Sequence, residues 1–133
     1  MEGVNIKNLV VHKDYRGWLA EIFRSEDVNK TMKGQITITT AYPGIVKANH
    51  YHKRKQEWYC VIKGKMKLSL KDMKTGKREE IILSEDKLKI LKIGYNIAHG
   101  FKNISDDVLF VLMYIDEPFD PNDADTFSEV VIE

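Results

Sequence analysis

The chain of 133 residues holds 21 Lys plus Arg, 20 Asp plus Glu, 43% apolar residues and one cysteine, the composition of an ordinary single globular domain. A lone cysteine excludes a disulfide scaffold, and the longest unbroken apolar stretch, Val108 to Ile115, is too short to span a bilayer. A formal net charge of +1 argues against nucleic acid as a partner, and an amino terminus with Glu2 and no apolar signal region points to a cytoplasmic protein with no membrane partner.

The near-zero balance hides an asymmetry. Residues 1–103 carry all 21 bases against 11 acids, and residues 104–133 carry nine acids and no base. A basic body suits an anionic ligand, and it equally suits solvated lysines on strand faces.

Taken in chain order, Val4 to Val11 reads as an apolar edge strand able to pair with a second copy, which gives the expectation of a homodimer. A helical turn is expected around Ser25 to Lys33. From Gln35 onward the apolar residues alternate with a period of two. Strands are expected at Gln35 to Thr40, Glu57 to Ile62, Lys65 to Lys71, Glu79 to Leu83, Lys87 to Ile93 and Val108 to Ile115. In the third of these Met66, Leu68 and Leu70 alternate with Lys65, Lys67, Ser69 and Lys71, so one face is apolar and the other lysine-rich, and Asp72 to Gly76 then reads as a tight turn. A second helical turn is expected at Ser84 to Lys87. Short strands separated by Pro43-Gly44, Lys63-Gly64 and Ser105-Asp106-Asp107 describe an all-β sandwich or barrel of antiparallel strands, one domain over residues 1–133.

Three of the four histidines sit at informative spacings, His12 being the exception. His50 and His52 lie two apart on an extended segment, so both rings point to one face, and a hairpin or crossing strand can bring Glu57 beside them. His99, with Asn103 four residues on, supplies a third imidazole. Three His and one carboxylate form a ligand set for a divalent transition metal with positions left open.

The spacing Gly44, His50, His52, Glu57, Gly64, with His99 and Asn103 downstream, resembles the two-motif signature of the cupin family, small double-stranded β-helix or jelly-roll barrels. Gly94 and Asn96 stand where cupins have Pro and Gly, and Asn tolerates a left-handed turn. The resemblance implies one divalent metal, with zinc as the expected ion, at His50, His52, Glu57 and His99; some relatives work without metal.

The segment Asp14-Tyr15-Arg16-Gly17-Trp18-Leu19-Ala20-Glu21-Ile22-Phe23-Arg24 resembles the amino-terminal motif of dTDP-4-dehydrorhamnose 3,5-epimerases, a cupin branch acting on nucleotide-linked 4-keto sugars. This implies Arg16, Glu21 and Gln35 in the nucleotide site, His50 as base and His99 against substrate. The departures are as informative. Lys47 stands where these epimerases have Arg, His52 where they have Gln, Glu57 where they have Lys, and Leu112 where they have a catalytic Tyr. Tyr114, on the same strand face as Leu112, is a candidate replacement. The stretches Gly34 to Thr40, Asn49 to His52 and Phe119 to Phe127 are similar to the carboxy-terminal cupin domain of bifunctional capsular polysaccharide enzymes that help make UDP-N-acetyl-fucosamine. Without a reductase half, a freestanding version is expected.

An imidazole nitrogen that donates its lone pair to a metal cannot also accept a proton. His50 is therefore ligand or base: with metal bound the base comes from Lys47 or Tyr114, and without metal His50 takes the role. The expected function is an epimerase or isomerase acting next to the ketone of a 4-keto nucleotide-diphosphate sugar, with Arg16 and Lys47 facing the phosphates and Gln35 and Glu21 making hydrogen bonds. The competing reading is a non-catalytic cupin module that binds metal or sugar.

Overall fold

The computed structural model describes residues 1–15, 17–23 and 33–133, and two five-stranded antiparallel sheets face each other across an apolar core. The first sheet runs β1 (Val4–Asn8), β9 (Lys89–Ile93), β6 (Glu57–Lys63), β11 (Leu109–Ile115), β4 (Gln35–Ala41). The second runs β12 (Phe127–Ser128), β5 (Val46–Tyr51), β10 (Ile97–Asn103), β7 (Lys65–Asp72), β8 (Arg78–Ser84). A short hairpin of β2 (His12–Asp14) and β3 (Gly17–Leu19) forms a separate ribbon. Among the described residues no helix is long and apolar enough to cross a membrane.

The inner faces follow from the alternation. Met66, Leu68 and Leu70 of β7 meet Tyr59 and Val61 of β6, with Leu91, Phe101 and Val111 in the same cluster. Cutting one such buried leucine back to alanine costs about 2–5 kcal/mol. The first sheet is apolar on its outer face too: Trp58, Cys60, Ile90 and Tyr114 are buried there under Leu9, Ala20, Ile22 and Phe23. A sheet covered on both sides has no polar face, which explains the unbroken apolar run of β11.

The all-β expectation holds, and β1 lies at a sheet edge as expected. Strand β10 was not anticipated by alternation. Its outward positions are covered as well, and a Cβ on Gly100 would lie 2.3 Å from Asn49 Oδ1 and 2.8 Å from Ile132 Cγ2. The helical turn expected at Ser84 to Lys87 is instead a tight turn closed by a bridge between those two residues. The turn expected at 25–33 lies outside the described residues, apart from Lys33.

Candidate metal centre

Strands β5 and β10 pair so that His50 stands opposite His99, with ring centroids 4.8 Å apart. His52 follows just past the end of β5 with its ring 5.0 Å from that of His50, so the two share a face. Glu57 opens β6 and reaches in from the facing sheet. The register slips between His99 and Gly100, leaving Asn49 unpaired as a β-bulge, and Ala48 and Asn49 take left-handed backbone conformations with φ of 71° and 57°. Asn96, where cupins keep glycine, has φ of 60°, as its tolerance for that region predicts.

The four side chains converge. One ligand atom from each of His50, His52, Glu57 and His99 lies within 4.8 Å of the others. Atoms bound to one zinc ion at about 2.1 Å lie no more than about 4.2 Å apart, so shifts of a few tenths of an ångström bring the set onto one ion. Glu57 Oε1 is 3.4 Å from His52 Nε2, and its Oε2 is 2.6 Å from His99 Nε2. Glu57 is the one group that meets the buried Nε2 atoms of His52 and His99, and Nε2 of His50 is buried with no partner among the described residues. Buried polar atoms left this way are costly unless something binds them. The donor set fits a divalent metal.

The backbone sets the tautomers. His52 Nδ1 lies 2.7 Å from the carbonyl of Asp125, and His99 Nδ1 lies 3.0 Å from that of Ile97. A ring that donates through Nδ1 carries its lone pair on Nε2, the atom turned toward Glu57. Burial, then the neighbouring charge of His99, pushes the His50 ring down to about 4. Burial also opposes charge on His52, but the adjacent carboxylate of Glu57 outweighs it and raises this ring above the ordinary value. For Glu57 burial favours the neutral acid, yet the charge of His99 and the contacts of both rings hold the carboxyl well below the usual range. Tyr59, buried two residues along β6, donates its hydroxyl to Glu57 Oε2 at 3.4 Å; burial and that carboxylate keep the phenol protonated.

The cluster opens into a cavity of about 380 Å³ whose wall is mostly apolar, including Ala48, Phe101, Met113, Ile115 and Phe119. Residues 116–127 form a strap along it. Asp125 accepts from the backbone of Lys53 and Arg54 through its carboxylate, Arg54 bonds Glu117 and Asp123, and Lys55 Nζ donates to the Ala124 carbonyl at 2.9 Å.

The expected residues divide. Lys47 and Gln35 line the cavity with His50, His52 and Glu57. Lys47 Nζ donates to Thr39 Oγ1 at 3.2 Å, and the Gln35 amide is engaged with Thr37 and with the Phe119 backbone. Tyr114 is not brought there. Because β11 is covered on both faces, its even positions turn away from the histidines: Tyr114 packs on Trp58 and Phe23 and donates to the Lys33 carbonyl. Glu21 also lies elsewhere, beside a shallow concavity with Lys7 and His12, because residues 20–23 run over the outer face of the first sheet. Arg16 lies outside the described residues. Asn103 is structural, its amide bonding the Ala41 and Asp107 carbonyls. The sequence reading missed Lys55, Tyr59 and Phe119, and a signal was available only for Tyr59, two residues after Glu57 on one strand.

Residues 12–127 match the polysaccharide biosynthesis C-terminal domain family. The chain is 30% identical over 118 residues to a UDP-2-acetamido-2,6-beta-L-arabino-hexul-4-ose reductase of Pseudomonas aeruginosa, covering 89% of this chain but 30% of that protein. It is 27% identical over 130 residues to the spore coat polysaccharide biosynthesis protein SpsL of Bacillus subtilis, covering 94% of this chain and 86% of that one. Among solved structures, the capsular polysaccharide assembling protein CapF of Staphylococcus aureus matches with a TM-score of 0.71 and 32% identity over 92% of this chain and 34% of CapF. The chain thus spans about a third of the length of the Pseudomonas and Staphylococcus proteins. A dTDP sugar isomerase of Desulfovibrio desulfuricans matches with a TM-score of 0.87 at 20% identity, over 98% of this chain and 85% of that one, which shows the fold to be that of the RmlC-like cupins. With the family match spanning residues 12–127 and all four clustered side chains, the chain belongs to the polysaccharide biosynthesis C-terminal domain family of cupins.

Proposed function

We propose that this protein is a metal-assisted epimerase or isomerase that moves a proton beside the ketone of a 4-keto nucleotide-diphosphate sugar in polysaccharide biosynthesis. The observation that carries this reading is the quartet itself: three ring nitrogens and one buried carboxylate gathered within 4.8 Å, opening on a cavity in the size range of small-molecule sites. Relatives support it. The Pseudomonas protein is named for a hexul-4-ose, a 4-keto sugar, and similar folds include sugar epimerases and isomerases.

His50, His52, Glu57 and His99 would hold the ion, with zinc as the expected one, and when bound it supplies Lewis-acid polarisation of a ketone oxygen. The chain's own share is orientation and proton movement. The carbonyls of Asp125 and Ile97 hold two imidazoles in the ligating tautomer, and the Tyr59 hydroxyl steadies Glu57. With His50 used as a ligand, Lys47 is the residue assigned to move the proton. The apolar wall of Met113, Ile115 and Phe119 limits water beside the reacting carbon. Arg16 keeps the assignment to the diphosphate, and Lys47 is taken from it by the proton transfer. The same reading takes the working form as a cytoplasmic homodimer, since β1 and β4 are open edges of the first sheet.

The test is deuterium incorporation from solvent beside the ketone of a UDP- or dTDP-linked 4-keto sugar. Chelation should lower exchange about 100- to 1000-fold, and zinc or manganese should restore it. Exchange that survives full demetallation but disappears in His50→Ala would make His50 the base and overturn the metal mechanism. The placement of Tyr114 away from the cavity favours a second reading, a binding module. Tight nucleotide-sugar binding with no exchange under either condition would establish that one.

A further inference from the structure

Lys55 is an unusual lysine. It is 3% exposed and lines the cavity with His52 and Glu57, its charge is felt by His52, and Phe119 lies 5.7 Å from its nitrogen. Among the described residues its one hydrogen bond is to the Ala124 carbonyl and no carboxylate lies within ion-pair distance, the Glu117 carboxylate feeling its charge from farther off. The nearest acid in sequence, Glu57, is taken up by His52 and His99. An ammonium removed from water with a single neutral partner keeps two N–H donors to offer and is costly until an anion meets it. The charge count of the cluster points the same way. One carboxylate against a divalent ion leaves one surplus positive charge, and Lys55 adds a second.

We infer that Lys55 is the fixed cation of the cavity that receives a negatively charged ligand oxygen, so that the site selects molecules that carry, or come to carry, an oxyanion beside the metal. This rests on the metal reading above and deepens it. As a carbon-bound proton leaves from beside a ketone, negative charge gathers on the ketone oxygen, and a lysine already desolvated in the wall needs no reorganisation to meet it. The Ala124 carbonyl serves as a hinge point: it orients the ammonium while leaving its remaining donors to the cavity.

The test uses the full chain loaded with zinc and oxalate as the probe, a small dianion able to occupy open metal positions. Zinc content and oxalate affinity are measured for the parent, Lys55→Gln, Lys55→Met and Lys53→Met. Gln keeps an N–H donor for Ala124 without the charge, Met keeps neither, and Lys53 is an exposed neighbour that matches the change in net charge. Oxalate binding should weaken about tenfold or more in both Lys55 variants at unchanged zinc content, and less than about twofold in Lys53→Met. Parent-like affinity in Lys55→Gln overturns the proposal, because Lys55 is then a tether for the strap. Lack of oxalate binding by the zinc-loaded parent, or an equal loss in Lys53→Met, overturns it as well. If Lys55→Met does not fold, Lys55→Gln decides alone. Absence of proton exchange with 4-keto nucleotide sugars would sink the epimerase reading and leave the oxalate result standing.

Discussion

Glu57 and His99 meet at 2.6 Å across the core, one from each sheet, so the two halves of the barrel are joined at the point where an ion would sit. Removing either member, or His52, should lower zinc affinity by about a hundredfold or more. Equilibrium dialysis against a zinc buffer gives the measurement, with His12→Ala, on the separate ribbon, as the control that keeps parent affinity. Parent-like zinc binding in Glu57→Ala would show the site to be misassigned.

The metal-free protein should be most stable near the ordinary histidine value, about pH 6.5. The raised His52 ring contributes stability that is fully present below its unfolded value and is lost as pH rises through its folded one. The depressed His50 ring acts in the opposite sense: as pH falls from 6.5 toward about 4 the unfolded chain takes up a proton that the folded one refuses. Zinc should change the profile, since bound imidazoles must be deprotonated, and its stabilising effect should grow as pH rises through the His52 transition. Thermal melts across pH with and without zinc check both limbs. A metal-free Tm that climbs steadily above pH 6.5 would contradict the His52 assignment.

Asn49 holds the carboxy-terminal segment. Its side chain accepts from Val131 and Ile132 and donates to the Ile132 carbonyl, and its own carbonyl accepts from Glu129. Asn49→Ala leaves the Val131 and Ile132 groups unpaired and should cost about 1–3 kcal/mol in urea unfolding, with earlier proteolysis of residues 129–133. Gly100→Ala, which drives a methyl group into Asn49 and Ile132, should act on the same segment, so the two losses should combine to less than their sum.

Tyr114→Phe should leave proton exchange within about twofold of the parent, because the phenol lies on the far face of the sheet from the imidazoles. Its hydrogen bond to Lys33 makes a stability loss of about 1 kcal/mol the expected effect. A large drop in exchange at unchanged stability would restore Tyr114 to the reaction.

The sequence carried the strands with one polar face and the four clustered ligands, because both are written in simple spacings: period two for β7, and His-x-His followed by a carboxylate for the site. Where both faces of a strand are covered, that code falls silent. Alternation in β11 could not say whether Leu112 and Tyr114 or Val111 and Met113 faced inward, and β10 gave no signal because Ile132 and Asn49 close over Gly100. Lys55 was unreadable for another reason. Among 21 basic residues nothing local separates the one that is buried from those that are solvated.

The unpaired Asn49 has a consequence for counting along the chain. Side chains two apart share a face of a strand, yet Lys47 and His50, three apart, reach the same cavity, because the extra residue between them resets odd and even. Deleting Asn49 would put Lys47 and His50 two apart in a regular ladder, so Lys47 would stay on the inner face opposite Phe101, while Val131 and Ile132 would lose the side chain that holds them. One lost residue would thus spare the metal ligands and the assigned proton carrier and release the chain end instead.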